Sequence, residues 1–231
     1  MSWSQFAVFE DALKPVVLSF VIEGLAALLG YYLLQANCVL HPPHRFCHEI
    51  DCPSFTVVNS TEAFEVRYYE SGVWASTDVE TYAYALASTT GFKRLFNYID
   101  GQNEDGVKIP MTAPVRTRIE PSAGPFCKGN FTVSFFVPHD QQKSPPKPNN
   151  PDIYIEKQPA FTAFVSQFGG FNMDDWSISK KAKELVEELD KLGVPYASDS
   201  FFYAQYDPPF RLTGRHNEIW IRAEDAPTRS S

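Results

Sequence analysis

The sequence predicts an α+β fold: a distorted antiparallel β-barrel assembled from two pseudo-repeated ββαββ halves, with two flanking helices. Three observations carry this expectation. Phe64-Glu65-Val66-Arg67 leads into Trp74-Ala75-Ser76, and Ile153-Tyr154-Ile155-Glu156 later leads in the same way into Phe164-Val165-Ser166. Each of these pairs is followed by one segment of helical period and then by further strand-like runs. A half of this size cannot bury both faces of its own sheet, so the two halves must close on one another.

Residues 54–59 alternate enough to form a strand, and 64–69 followed by 72–79 reads as a hairpin. Residues 81–100 read as a helix. Tyr82, Leu86, Thr89, Phe92, Phe96 and Ile99 recur three and four apart, and Gly101 offers a left-handed stop. Strands are expected at 107–119 and 131–138. The stretch Ser144-Pro145-Pro146-Lys147-Pro148-Asn149-Asn150-Pro151 is stiff and poor in donors, which predicts an extended polyproline bridge. Residues 153–157 and 161–168 then form a second hairpin, 178–192 the second helix, and 201–206 and 218–222 the closing strands. The second helix carries one apolar stripe, Ile178, Ala182, Leu185, Leu189 and Leu192, with Ser177 as cap and Gly193 as stop.

The chain has 231 residues and a formal net charge of -8, with a pI of about 5.1. That length holds one domain of about 170–190 residues with a sizeable core. The acidity excludes the nucleic-acid-binding class, which needs a basic stripe to displace counterions. It also disfavours general adhesion to anionic lipid. Residues 15–36 are almost wholly apolar, broken only by Glu23, and suit a spanning helix or a long signal segment. Residues 1–36 are therefore read as a signal peptide or signal-anchor, 37–54 as a Cys/His/Pro-rich tether, 55–223 as the folded domain and 224–231 as a disordered tail.

Asn59-Ser60-Thr61 and Asn130-Phe131-Thr132 are glycan acceptor triplets beside predicted strands. The four cysteines, Cys38, Cys47, Cys52 and Cys127, all follow the apolar stretch and form an even set. The expectation is a protein secreted through the secretory pathway, with glycan on Asn59 or Asn130 and a disulfide between Cys127 and a tether cysteine. A retained membrane anchor, or a cytosolic chain if 1–36 is no leader, are the alternatives.

Catalytic signatures are lacking. None of the five histidines sits in a nucleophile motif, and no Gly-x-Ser-x-Gly, phosphate-loop or dinucleotide glycine pattern occurs. The chain reads as a binder, not an enzyme. The tether, Cys38-x-x-His41-x-x-His44-x-x-Cys47-His48-x-x-x-Cys52, has the density of a zinc site. A secretory context favours disulfides over thiolate ligands, so no metal site is expected.

The most distinctive stretch is Lys108-Ile109-Pro110-Met111-Thr112-Ala113-Pro114-Val115. Its prolines flank Met-Thr-Ala, which reads as an edge strand or bulged hairpin. It falls between Phe64-Glu65-Val66-Arg67-Tyr68-Tyr69 and Trp74-Ala75-Ser76-Thr77 on one side and Tyr206-Asp207-Pro208-Pro209 and Gly214-Arg215-His216-Asn217-Glu218-Ile219-Trp220 on the other. With this set the chain resembles the SOUL/heme-binding protein family, and within it the heme-binding protein 2 branch, from about residue 55 to residue 222.

The resemblance implies the same barrel and non-enzymatic binding of haem or a related tetrapyrrole in a groove between the first helix and the barrel. A haem is a flat apolar ring with two carboxylates on one edge, so its site needs an apolar slot and one or two rim cations. The family's contacts map to the first helix, at Phe92, Lys93, Arg94 and Phe96, and to the loop before the last strand, at Arg211 and Arg215. Met111 offers a soft, adaptable contact. Some relatives have a proposed axial histidine in Glu-Ile-Arg-His-Tyr. Here Glu65-Val66-Arg67-Tyr68-Tyr69 places Tyr68 there, whose phenolate can ligate ferric iron.

Two alternatives stand beside this reading. Relatives linked to apoptosis-regulator partners imply a protein-interaction module that presents a short helix to a groove. The matching residues are Leu185-Val186-Glu187-Glu188-Leu189-Asp190. The third is a carrier or sensor of another small hydrophobic ligand, by analogy with bacterial effector-binding barrels of similar duplicated layout.

Overall fold

The computed structural model describes residues 44–120, 129–171 and 174–224. The expected leader, Cys38, Cys127 and the tail from residue 225 lie outside them. The described chain runs β1 (Phe55–Ser60), β2 (Glu65–Tyr69), β3 (Gly72–Thr81), α1 (Tyr84–Ile99), β4 (Val115–Ile119), β5 (Gly129–Phe136), β6 (Ile153–Gln158), β7 (Phe161–Phe168), α2 (Asp175–Leu192), β8 (Phe201–Gln205) and β9 (Asn217–Arg222). All nine strands pair antiparallel in one curled sheet, in the order β1-β2-β7-β9-β8-β4-β5-β3-β6. The α+β class and the distorted barrel are as expected.

The duplication is present, but the two expected hairpins are not. β2 lies beside β7, with Arg67 opposite Ala163, and β3 lies beside β6, with Ser76 opposite Tyr154. Relating β2 to β6, β3 to β7, β4 to β8 and β5 to β9 maps the strand order onto itself. The two halves have therefore exchanged strands. Two-residue hairpin turns need left-handed residues such as Asn-Gly. The links here are Glu70-Ser71 and Pro159-Ala160, so each sends the chain across to the other half.

Strand alternation divides the sheet into two faces. On one, Phe164, Tyr203, Ile219 and Ile221 pack against Ile178, Ala182, Leu185 and Leu189 of α2, while Ala75, Val133 and Phe135 pack against Leu95, Tyr98 and Ile99 of α1. The intervening residues Tyr69, Ala163, Val165, Phe202, Ala204 and Trp220 face the other way and pack with Cys47 and Phe55. The segment from residue 44 is thus no loose tether. A 3₁₀ turn at Arg45–Cys47 buries Cys47, which is bonded to Cys52, and Phe46 stacks on His216 at 4.2 Å. Because Cys47 and Cys52 pair with each other, the expected Cys127 bond has only Cys38 left in the tether.

Each helix start is satisfied by an aspartate. Asp174, rather than Ser177, caps α2 by accepting the Ser177 N–H at 2.8 Å, and Asp175 accepts the Tyr84 N–H of α1 at 3.0 Å. Gly193 ends α2 with a left-handed φ of 63°. The expected strand at 107–119 is a strand only from Val115. With two prolines removing donors, residues 107–114 bond off the ladder: Ala113 N–H donates to Asp51 O and the Thr112 hydroxyl to Phe136 O. Both acceptor asparagines lie within strands, Asn59 in β1 and Asn130 in β5, rather than beside them, and both are exposed.

Candidate ligand-binding groove

α1 buries a different face from the one its large residues predict. Tyr84, Ala87, Ser88, Gly91, Leu95, Tyr98 and Ile99 face the sheet, while Tyr82, Leu86, Phe92 and Phe96 are exposed. The small residues explain the choice, because they let the helix lie close on β5. A Cβ on Gly91 would stand 2.5 Å from a Val133 methyl. Seating the small stripe turns the aromatic stripe outward, and Phe92 and Phe96 stack on each other 5.9 Å apart.

Beside this stripe opens a groove of about 1070 Å³. α1 forms one wall with Ser88, Phe92, Lys93 and Phe96, the irregular 107–114 segment supplies Met111 and Ala113, and the loop before β9 supplies Pro208, Pro209, Phe210 and Arg211. Six predicted residues therefore converge: Phe92, Lys93, Phe96, Met111, Arg211 and Arg215 all line it.

Two predicted residues do not. One helical step rotates Arg94 about 100° from Lys93. It turns to β3 instead, donating to Thr77 and to Asp78 O and pairing with Asp152 at 3.0 Å. Tyr68 is exposed on β2 and is not among the groove's lining residues, because its neighbours Arg67 and Tyr69 take the inward positions of the alternation.

Arg215 lines the groove in a different role from a rim cation. Its guanidinium donates to the carbonyls of Asp207, Pro208 and Arg211 and lies 4.3 Å from the Phe171 ring, so it folds the loop that forms the wall. Lys93 and Arg211 are the lining cations with exposed heads.

Asp207 organises the same wall from within. Its buried carboxylate accepts from the His216 backbone N–H, pairs with Arg211 at 3.2 Å and meets His48 Nε2 at 2.8 Å. The sequence gives no periodic signal for His48 or Phe210 as groove residues. His48 arrives through the packed N-terminal segment, and Phe210 stands on a loop with its ring largely in solvent.

The face opposite the helices holds a polar network. Glu218 is fully buried and accepts from His216 at 2.7 Å, Tyr206 at 2.9 Å and Trp220 at 2.6 Å, with Arg67 at 3.1 Å. Burial opposes its ionisation, yet these hydrogen bonds and the Arg67 charge hold its carboxyl below the ordinary range. Burial likewise works against the Arg67 charge, but Glu218, Tyr69 and Tyr206 together outweigh it and hold its pKa above the ordinary value. The helix proposed for partner recognition keeps Leu185 and Leu189 at 2% and 0% exposure, so presenting them would require peeling α2 off its sheet.

The fold is shared with the C-terminal domain of EcmrR, at TM-score 0.55 and 14% identity over 74% of this chain and 99% of that one. Sequence comparison reaches further. Human heme-binding protein 2 is 36% identical over 172 residues, covering 73% of this chain and 82% of the relative. Heme-binding protein 1 of Xenopus laevis is 34% identical over 159 residues, covering 69% and 83%. The SOUL heme-binding protein family matches residues 50–222, a span that contains the whole sheet from β1 to β9, both helices and nearly every groove residue. The duplicated barrel, its grooved first helix and this continuous match make the chain a member of the SOUL heme-binding protein family.

Proposed function

We propose that the protein binds haem or a related tetrapyrrole, without catalysing a reaction, in the groove between α1 and the sheet. One observation carries the reading: α1 turns Phe92 and Phe96 out of the core and into the wall of a 1070 Å³ groove that also takes in Met111, Lys93 and Arg211. That volume sits just above the usual range for small-molecule sites, about 300–1,000 Å³, which leaves room for a large flat ligand. The residues fit such a group. Phe92, Phe96, Met111 and Phe210 offer apolar contact to a ring face, and Lys93 and Arg211 offer charge-assisted bonds to carboxylates. Bound haem would contribute a redox-active iron, and the protein's part is to shield the ring and anchor its acidic edge.

Titrating the purified protein with hemin tests this. A saturable Soret shift is expected, and a flat difference spectrum at tens of micromolar protein overturns it. Lys93→Glu and Arg211→Glu should each weaken binding by about 1–3 kcal/mol if carboxylates sit there. A protein that ignores hemin but takes up another apolar ligand would point to the carrier alternative.

The secretory route belongs to the same proposal. The exposure of Asn59 and Asn130 and the oxidised Cys47–Cys52 pair support it. Expression in animal cells followed by glycosidase treatment is expected to lower the apparent mass. An unshifted cytosolic product with free thiols would refute it.

A further inference from the structure

We infer that the mouth of the groove docks on a phospholipid bilayer bearing anionic headgroups, with Phe210 and Leu212 as the inserted side chains. The ligand then passes from membrane to groove by contact. This rests on the tetrapyrrole reading and adds to it the surface from which the ligand is taken.

The loop before β9 carries the first observation. Phe210 and Leu212 are 81% and 76% exposed, the highest values among the described large apolar residues. A lone exposed apolar side chain is ordinary, but these two share a loop whose shape is fixed. Pro208 and Pro209 restrict φ on one side. Arg215 donates to the carbonyls of Asp207, Pro208 and Arg211, and Arg211 reaches back to Thr213 O and the Asp207 carboxylate. The apolar neighbours on either side of Arg211 are left in solvent. A ligand in the groove does not account for all of this area. Phe210 lines the groove, but Leu212 is not among its described lining residues. Neither is Leu86, 60% exposed on the α1 side and on the same helical stripe as Lys93.

Charge selects the partner. The chain has 28 Asp and Glu residues and a net charge of -8, yet none of these acids falls in 81–99, 107–114 or 208–217, the segments that build the walls. Asp207 is the one acid among the described lining residues, and its side chain is fully buried. Lys93 and Arg211 keep exposed heads. The face is thus apolar at its rim with cations beside it, in an otherwise acidic molecule. A bilayer offers the complement, apolar chains under a layer of phosphates. The net charge opposes adhesion in general, so the approach must be led by this face. An apolar ring with an acidic edge partitions into the same layer, and transfer by contact spares the ring a passage through water.

The test follows hemin from loaded vesicles to the full-length protein by the Soret band. Vesicles are phosphatidylcholine alone or with about one-fifth phosphatidylserine. Transfer should rise with protein concentration and exceed the rate at which hemin leaves the same vesicles unaided. Phosphatidylserine should widen that excess about twofold or more. Leu212→Ser should slow transfer about fivefold, with its hemin affinity in vesicle-free buffer within about twofold of wild type. Both chains carry the same N-terminal segment, so their difference reads the loop. A rate capped at unaided loss, an excess narrowed by phosphatidylserine, or an unaltered rate in Leu212→Ser overturns the docking surface and leaves the groove reading standing. If Leu212→Ser loses vesicle-free affinity to the same extent, Leu212 is a wall residue. If it dissociates a wild-type dimer, a second copy occupies the tip. Either result refutes the inference. Wild-type protein that ignores hemin without vesicles overturns the groove reading and this inference together.

Discussion

Glu218 and Phe96 stand on opposite sides of the same sheet and meet opposite requirements. Glu218 is a charge with no access to water, and every neighbour serves it: an arginine, a histidine, a tyrosine and an indole N–H. Phe96 is an apolar ring left 46% exposed, stacked on Phe92 beside a wide groove. The first arrangement is closed, with no group to spare for a ligand. The second keeps apolar area in water beside the groove where the ring of the proposed ligand would cover it. Burial of polar groups here reports architecture, and the proposed binding rests on the apolar groups left exposed at the groove.

The largest expected effect breaks the closed side. Glu218→Leu removes the buried carboxylate from Arg67, leaves it only the half-buried Glu65, and strips Tyr206, His216 and Trp220 of their acceptor, so it should cost about 3–5 kcal/mol in chemical denaturation. The same group sets an acid limit. Its folded pKa lies below the ordinary 4.5, so the native state holds fewer protons than the unfolded chain in that interval. Its stabilisation is therefore complete above about pH 4.5 and is lost as pH falls through the folded value. Glu218→Gln should flatten that part of the stability–pH curve, and an unchanged acid limb would show that other carboxylates govern it.

On the open side the balance reverses. Phe96→Ala should lower hemin affinity by about 1–2 kcal/mol while costing less than that in stability, because the ring gains most of its burial from the ligand. If the melting temperature falls sharply with affinity unchanged, Phe96 is a core residue after all.

Arg116 tests where the closed side ends. It is buried between Trp74 and Phe202, at 3.8 and 4.6 Å from its guanidinium carbon, and its Nε and Nη1 lack partners. Burial drives its pKa down to about 10, against the pull of Glu156. Arg116→Met should be neutral or stabilising by about 1 kcal/mol. A loss comparable to that of Glu218→Leu would place Arg116 inside the network. The smallest effect is expected from Tyr68→Phe, which should alter neither hemin affinity nor unfolding by more than about 0.5 kcal/mol.

Much of this was legible in the residues. The duplicated order of elements is written in the echo of Phe64–Arg67 by Ile153–Glu156. α2 was plain because its large aliphatic residues and its buried face coincide. The period of α1 was legible, but which face it buries was not, because periodicity weighs size whereas close packing on β5 selected Ala87, Ser88 and Gly91. Phe92 and Phe96 were placed at the groove by the family resemblance, not by the helical period, which cannot say whether an aromatic stripe faces the core or a ligand. Strand exchange was illegible for another reason. Period two fixes which face a residue takes, but not which strand lies beside it. His48 and Asp207 lie far apart in sequence, and only the folded path of the N-terminal segment brings them together.

The exchanged strands also bear on synthesis. A ribosome that has delivered β1 through β5 has made β2, β3 and β4 but not their neighbours β7, β6 and β8, so the emerged strands form two pieces with three edges left unpaired. Unpaired edges recruit other chains. The first half must wait, through the length of the proline-rich bridge and beyond, for neighbours that have not yet been translated. Its order of assembly is then dictated by the distant half, which places the chain among slow folders governed by non-local pairing and gives a chaperone a defined interval in which to act.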